Sequence, residues 1–344
     1  MSKAILFLRV PRPRLLSVLV LATCISVAFQ RASSQVLDKS VLNSTVLLTY
    51  EVEAPAEGDS FTKDQAHAQS AKPAKAGPLL VRGTGFLLFS GLGRTKGLVY
   101  LVTNRHILPP EGKKQDIKVR VVVASRDKSE KVESVSVPIV GNNGKYLPSV
   151  RLHKDPSTDV AVINIAPAAF GNKFKVLIDA VTTGKYLDTS MLASPDTMNS
   201  IGVGVGSQVF VLGYPAAIFD PRNVSPVLRV GVISTDPKEG FNFNDELRRL
   251  MGFPEHVNGF LVDANVYPGS SGSLVVVDPS VVKCDCQPAN SQTTKHPENR
   301  LRILGIVAGS IPMYDPSLKS FERIGLGIVY SADTIREVIN SFER

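Results

Sequence analysis

Cysteine is scarce, with three residues in a chain of 344. Cys24 lies in an apolar leading segment, which leaves Cys284 and Cys286, and one C-x-C pair cannot make a disulfide framework. Stability must therefore come from a hydrophobic core. A composition of 43% hydrophobic and 20% charged residues suffices for one. Metal ligands are equally thin: Cys284, Cys286 and His296 share a polar stretch at a spacing that matches no zinc pattern. No metal and no cofactor is expected. A long apolar run is missing too. The best candidate, Leu15 to Phe29, is interrupted by Ser17, Thr23 and Ser26 and falls short of the roughly twenty residues a membrane span needs. Acidic residues are absent from positions 1–34, which carry Lys3, Arg9, Arg12, Arg14 and Arg31.

Those first residues have a pattern of their own. A basic start precedes the apolar run, and Ala32 and Ser34 stand at the −3 and −1 positions of a cleavage before Gln35. This is the pattern of a secretory signal, and it predicts an exported protein, periplasmic or extracellular. An uncleaved N-terminal anchor is the alternative and the one membrane attachment expected. Loss of the segment removes five of the 39 basic residues and none of the 31 acidic ones, so the net charge drops from +8 to +3. A chain so near neutrality has no electrostatic footprint for a phosphate backbone, which argues against nucleic acid as a partner.

From a short N-terminal segment, 35–43, the pattern passes to a strand at 44–53. Residues 54–77 form a polar insertion. Strands are expected at Gly83–Phe89 and Gly97–Thr103, then at Ile117–Ala124, Val132–Val137 and Val150–Leu152. Another begins at Asp159-Val160-Ala161-Val162. Residues 166–200, of mixed pattern, read as a connection between two halves. The Gly202-Val-Gly-Val-Gly206 run fails as a dinucleotide loop, because the apolar residues after it read as a strand and not a helix. Strands follow at Gln208–Leu212, Val227–Ser234 and Phe260–Ala264, with a short helix at Asp245–Met251. A second polar insertion, 279–300, separates the strand of Leu274–Val277 from those at 301–308 and 325–330. Ile335, Val338, Ile339 and Phe342 recur at helical spacing after Ser331, a candidate cap. The fold expected is mainly β: two antiparallel β-barrels, about 44–165 and 201–330, closed by a C-terminal α-helix over 331–343.

The stretch Tyr267-Pro268-Gly269-Ser270-Ser271-Gly272-Ser273 delivers a tight turn of small residues into an apolar strand. Such a turn suits a chain that presents one hydroxyl and aims main-chain N–H groups at the same point. Nucleophilic acyl transfer needs that arrangement, with Ser271 attacking and the N–H groups of Gly269 and Ser271 holding the oxyanion. The base and its orienting acid must come from elsewhere. His106 ends a strand in the first half and Asp159 starts one in the same half, and a cleft between two barrels is where the three can converge. Asp155, beside Pro156 in a polar loop, reads as a turn former.

Taken together, Gly83-Thr84-Gly85-Phe86, Thr103-Asn104-Arg105-His106, Asp159-Val160-Ala161-Val162, Gly213-Tyr214-Pro215, the Pro268–Leu274 turn and Gly325–Tyr330 resemble a trypsin/chymotrypsin-fold serine peptidase. Within it the chain is nearest to the HtrA/Deg-type protease domain, here without a PDZ domain. The resemblance covers roughly residues 44–340. It implies a secreted serine endopeptidase in which His106 is the general base, Asp159 orients it and Ser271 is the nucleophile, with protein or peptide substrates. The HtrA turn usually reads Gly-Asn-Ser-Gly-Gly-Pro. Here Ser270 replaces Asn, Ser273 replaces the second Gly, and Leu274 follows in place of Pro. Ser270 cannot make the buried ion pair with a new N-terminus that activates digestive enzymes of this fold. Arg105 beside the base would lower its pKa if it pointed inward.

The alternative is a binding or scaffold protein on the same fold whose triad no longer turns over. An α/β-hydrolase is excluded, because it needs the chain order Ser, Asp, His and a nucleophile that leads into a helix. Asn265, Val266 and Tyr267 are expected on one wall of the primary pocket and Val307, Ala308 and Gly309 on the other. None is charged, so small or medium apolar side chains should be preferred over Lys or Arg. The sequence leaves the oligomeric state open.

Overall fold

The computed structural model describes residues 37, 39–52, 79–91, 98–124, 130–165, 187–220, 222–267, 269–277, 301–315 and 320–342. The described residues belong to one compact unit, Leu37–Arg344. The expected signal segment and both polar insertions, with Cys284, Cys286 and His296, lie outside the described residues.

The β-branched runs form strands as their composition dictates. In the first half these are β1 (Thr45–Val52), β2 (Leu79–Ser90), β3 (Leu98–Thr103), β4 (Gln115–Ala124), β5 (Glu130–Val140), β6 (Val150–Leu152) and β7 (Ala161–Asn164). They make one antiparallel sheet in the order β5-β4-β1-β2-β3-β7-β6, so the first half curls without closing among the described residues. The two β-barrel halves expected are thus a curled half-barrel sheet and, among the described residues, a closed barrel in the second half. Its six strands are β8 (Gln208–Gly213), β9 (Val227–Ile233), β12 (Gly259–Asp263), β13 (Leu274–Val277), β14 (Ile303–Asp315) and β15 (Ser320–Ser331), in the order β12-β15-β14-β13-β8-β9. A two-stranded pair, β10 (Phe241–Asn242) and β11 (His256–Val257), stands beside it. The fold is mainly β and trypsin-like.

Four helices punctuate the described chain: α1 (Lys39–Ser44), α2 (Pro195–Ile201), α3 (Asp245–Met251) and α4 (Ala332–Asn340). α3 lies where the sequence places it. α1 occupies the end of the expected N-terminal segment, and α2 falls within the expected connection. Gly202 ends α2 in the left-handed region at φ 71°, the usual glycine stop. Ser331 precedes α4, but its side chain makes no cap bond.

Most of the buried apolar residues fall into three large clusters, with a small fourth around Tyr214. Leu48, Leu87, Leu101, Ile117 and Ile139 fill the first sheet. Val209, Val211, Phe260, Val275 and Val329 fill the closed barrel. The third cluster joins the halves: Phe86, Tyr100 and Val162 meet Phe210, Leu274, Ile303 and Tyr330, with Leu37 and Val41 from the N-terminal side and Ile335, Val338 and Ile339 of α4. The Ser271 turn meets this seam, where Thr84 of β2 donates to Ser271 O.

Candidate active site

β3 ends at Thr103, three residues before His106. His106 sits in the middle of a single 3₁₀ turn, Arg105–Ile107, and not on the strand end that the pattern suggests. Two anchors fix that turn. Asn104 is fully buried, and its side-chain amide donates to Asp159 O at 2.7 Å. Ile107 packs where a side chain at Gly83 would stand, 2.6 Å from the site of its Cβ.

Asp159 meets the turn twice. Oδ1 accepts the main-chain N–H of His106 at 3.0 Å, and Oδ2 lies 2.5 Å from His106 Nδ1. An ionised carboxylate only accepts, so Nδ1 carries the ring proton and Nε2 of the neutral ring is left as the acceptor. The pair is about three-quarters buried, with 23% and 25% of the two side chains exposed.

The loop before Asp159 is tied down from within and without. The Asp155 carboxylate accepts from Ser157 N, Ser157 Oγ and Thr158 Oγ1, and these bonds, the Ser157 hydroxyl first, hold it below the usual carboxylate range. That makes it the turn former the sequence suggests. Arg105 donates to His153 O at 2.8 Å and Pro156 O at 3.1 Å. Its guanidinium is thus committed to the loop carbonyls, and the inward-pointing cation considered from sequence is replaced by a clamp. Tyr330 donates to Ser157 O at 2.7 Å from the second half.

The Ser271 turn is built by two left-handed glycines. Gly269 has φ 84° and Gly272 φ 86°, and a Cβ on Gly272 would stand 1.7 Å from Thr84 O. Only glycine fits there. Ser270 N donates to Tyr267 O, Ser273 N to Ser270 O, Gly272 N to Val307 O and Val307 N to Ser273 O. Thr84 of the first sheet clamps the turn from across the seam: its N–H donates to Ser271 O at 2.9 Å and its hydroxyl to Gly269 O at 3.1 Å. The same residue accepts Thr103 Oγ1 on its carbonyl at 2.8 Å, so turn and β3 end share one support. Ser271 Oγ donates to Ala308 O at 3.0 Å. Among the described residues Ser271 N–H has no acceptor, as an oxyanion donor requires.

The expected pocket residues divide. Tyr267 is 49% exposed, Asn265 is exposed in the left-handed region at φ 49°, and Ala308 is half-buried. Among the described residues nothing stands within 4 Å of the place where a Cβ on Gly309 would be. The side chains of Val266 and Val307 are instead buried in the barrel core, 1% and 0% exposed, Val307 by alternation along β14 and Val266 from the loop after β12. Among the described residues no group of three potential ligands could hold a metal, and no helix is long and apolar enough to cross a membrane.

Residues 83–281 match the family model described as a trypsin-like peptidase domain, more than half of the chain. The chain belongs to the trypsin-like peptidase family. Solved structures similar to this peptidase include a serine-to-alanine variant of the HtrA-type protease AlgW with a decapeptide, at 16% identity and a TM-score of 0.43. That alignment covers 89% of this chain and 65% of the AlgW chain, so this chain spans under two thirds of its length. The Rv3671c protease from M. tuberculosis in its active form aligns over 99% of this chain and 94% of its own, at 16% identity and a TM-score of 0.41. An inactive form of the same protease aligns over 89% and 92%, at 15% and 0.42. No curated protein is significantly similar in sequence.

Proposed function

We propose that the protein is a serine endopeptidase that cleaves protein or peptide substrates through an acyl-enzyme, and that it acts after export to the periplasm or cell exterior. Ser271 Oγ attacks the scissile carbonyl and passes its proton to His106 Nε2. His106 then returns the proton to the leaving amine, and water repeats the sequence to free the acid. Asp159 holds the tautomer. The N–H groups of Gly269 and Ser271 stabilise the oxyanion. The observation that carries this reading is the double contact of Asp159 with His106, main chain and ring, with a glycine-built serine turn whose Thr84 clamp also holds the end of β3.

A fluorophosphonate probe labels only an activated serine. Wild type should label and hydrolyse casein. Ser271→Ala and His106→Ala should each lose about 10³-fold or more of activity with the fold retained. The second reading, a trypsin-fold binding or scaffold protein, is favoured by one observation: Ser271 Oγ is committed to Ala308 O, a bond that must be given up before attack. Folded wild type that never labels would establish it. Export is tested by N-terminal sequencing of secreted material, which should begin near Gln35.

A further inference from the structure

β9 carries an arginine whose guanidinium turns inward. Leu228, Val230 and Val232 of this strand are exposed, whereas Arg229 is half-buried and Gly231 and Ile233 are buried. By alternation Arg229 shares the inward face, at the end of the barrel beneath residues 264–270. β9 approaches that segment closely at Gly231, where a Cβ would stand 2.5 Å from Asp263 O.

The guanidinium reaches both feet of the serine turn. Nη1 donates to Asn265 O at 2.5 Å and to Ala264 O at 3.4 Å, and Nη2 donates to Ser270 Oγ at 3.0 Å. Ser270 is fully buried, and the same hydroxyl accepts Tyr267 N–H at 3.3 Å. One oxygen therefore takes two donors from opposite sides of the turn. Asn265, the other foot, sits at φ 49°, a strained conformation for a residue with a Cβ. Among the described residues no carboxylate lies within ion-pair distance of Arg229. Burial pulls its guanidinium below the ordinary value, opposed by the Tyr267 phenol. A cation held at that cost without a counter-ion has only the turn as its partner.

We infer that Arg229 is a positioning residue that orders the oxyanion turn from inside the barrel, doing from within the chain what Ser270 cannot do through an ion pair with a new N-terminus. The inference rests on the reading of Gly269 and Ser271 as oxyanion donors. A rigid fork spanning two carbonyl oxygens and a hydroxyl fixes Asn265 relative to Ser270, and so fixes where the N–H groups between and after them point. An ammonium on a flexible stem cannot span the three acceptors at once.

Arg229→Met, Arg229→Lys and Ser270→Ala in the full chain test this with two readouts. The first is amide hydrogen exchange of residues 264–273 against that of β8 and β13. Arg229→Met should exchange faster in the turn alone, Arg229→Lys to an intermediate degree, and Ser270→Ala on the Ser270 side. The second is kinetic: fluorophosphonate labelling and kcat should fall roughly a hundredfold in Arg229→Met, the loss that a misplacement of about 1 Å carries, with KM little changed. Arg229→Lys should recover part of it. If Arg229→Met fails to fold, Arg229→Lys and Ser270→Ala carry the same comparison. Turn exchange equal to wild type in the folded variants overturns the inference, as does an unchanged kcat. A wild type that does not label overturns the peptidase reading alone, because the exchange comparison still decides whether Arg229 orders the turn.

Discussion

Tyr330 is a β15 residue whose phenol serves the Asp159 loop from across the seam. It donates to Ser157 O, and the main-chain N–H of Asp159 faces its oxygen. Burial first, and then the charge of Asp159, push its pKa up to about 12, so the hydroxyl stays a donor wherever a peptidase works. Tyr330→Phe keeps the ring in the core and deletes only that hydrogen bond. Its net value is about 1 kcal/mol, because Ser157 is exposed and water can replace part of the bond. Denaturant midpoints should register that loss, and kcat should fall by more than the stability change implies, about tenfold, because the loop sets where Asp159 holds the imidazole. An unchanged kcat would mean that Asn104 and Arg105 suffice to hold the loop. None of these supports was legible in the sequence. Asn104 and Arg105 stand beside the base, but their acceptors lie 48 to 55 residues on. Thr84 meets Gly269 across 185 residues, and Arg229 meets Ser270 across 41. Local pattern identifies groups that do chemistry, whose residue types are few. It does not identify groups that merely hold them, whose partners are chosen by the fold.

Among the elements, the serine turn shows why a departure from the usual pattern is tolerated. Ser273 stands where HtrA-type turns have glycine, and its side chain is fully buried. Space for it comes from β8: a Cβ on Gly213 would stand 1.9 Å from Ser273 Oγ. The left-handed positions are 269 and 272, so the turn needs no glycine at 273. Ser273 Oγ has no hydrogen-bond partner among the described residues, and an enclosed hydroxyl left so is destabilising. Ser273→Ala should therefore stabilise by about 1 kcal/mol, and a thermal melt should rise by roughly 2–4 °C. Gly213→Ala should lower it through the collision. A fall with Ser273→Ala would show that the hydroxyl has a partner such as a buried water. Strands of this kind were legible because both halves bury β-branched runs in bulk. α1 was not: six residues, with no acidic first turn and no basic last turn, offer no helical period, and the burial of Leu37 and Val41 in the seam accounts for it. The strand order of the first sheet was equally hidden, since strand order is a property of pairing and not of composition.

Over the whole molecule, acid should separate loss of chemistry from loss of fold. Among the described residues, four carboxylates lie below their ordinary range: Asp155 through the Ser157 hydroxyl, Asp220 through Arg222, Glu111 through the Tyr146 N–H, and Glu337 through Lys154. Unfolded, they would titrate near 3.8 for Asp and 4.5 for Glu. The unfolded chain thus binds these protons more readily than the folded one, and stability rises with pH through that range. The contribution is complete above the unfolded values and disappears as pH falls through the lower folded ones. Each group lies at the surface, so no single one dominates. Melting followed by circular dichroism should accordingly stay level from about pH 7 to pH 5 and decline below about 4.5, where the glutamates begin to protonate first. Hydrolysis should already have been lost reversibly on the way down, because a histidine base takes its proton while these carboxylates still hold their charge. Activity lost only in step with the melt would contradict a histidine base. A melt that already declines between pH 7 and 5 would contradict the assignment of the fold's acid sensitivity to these four carboxylates.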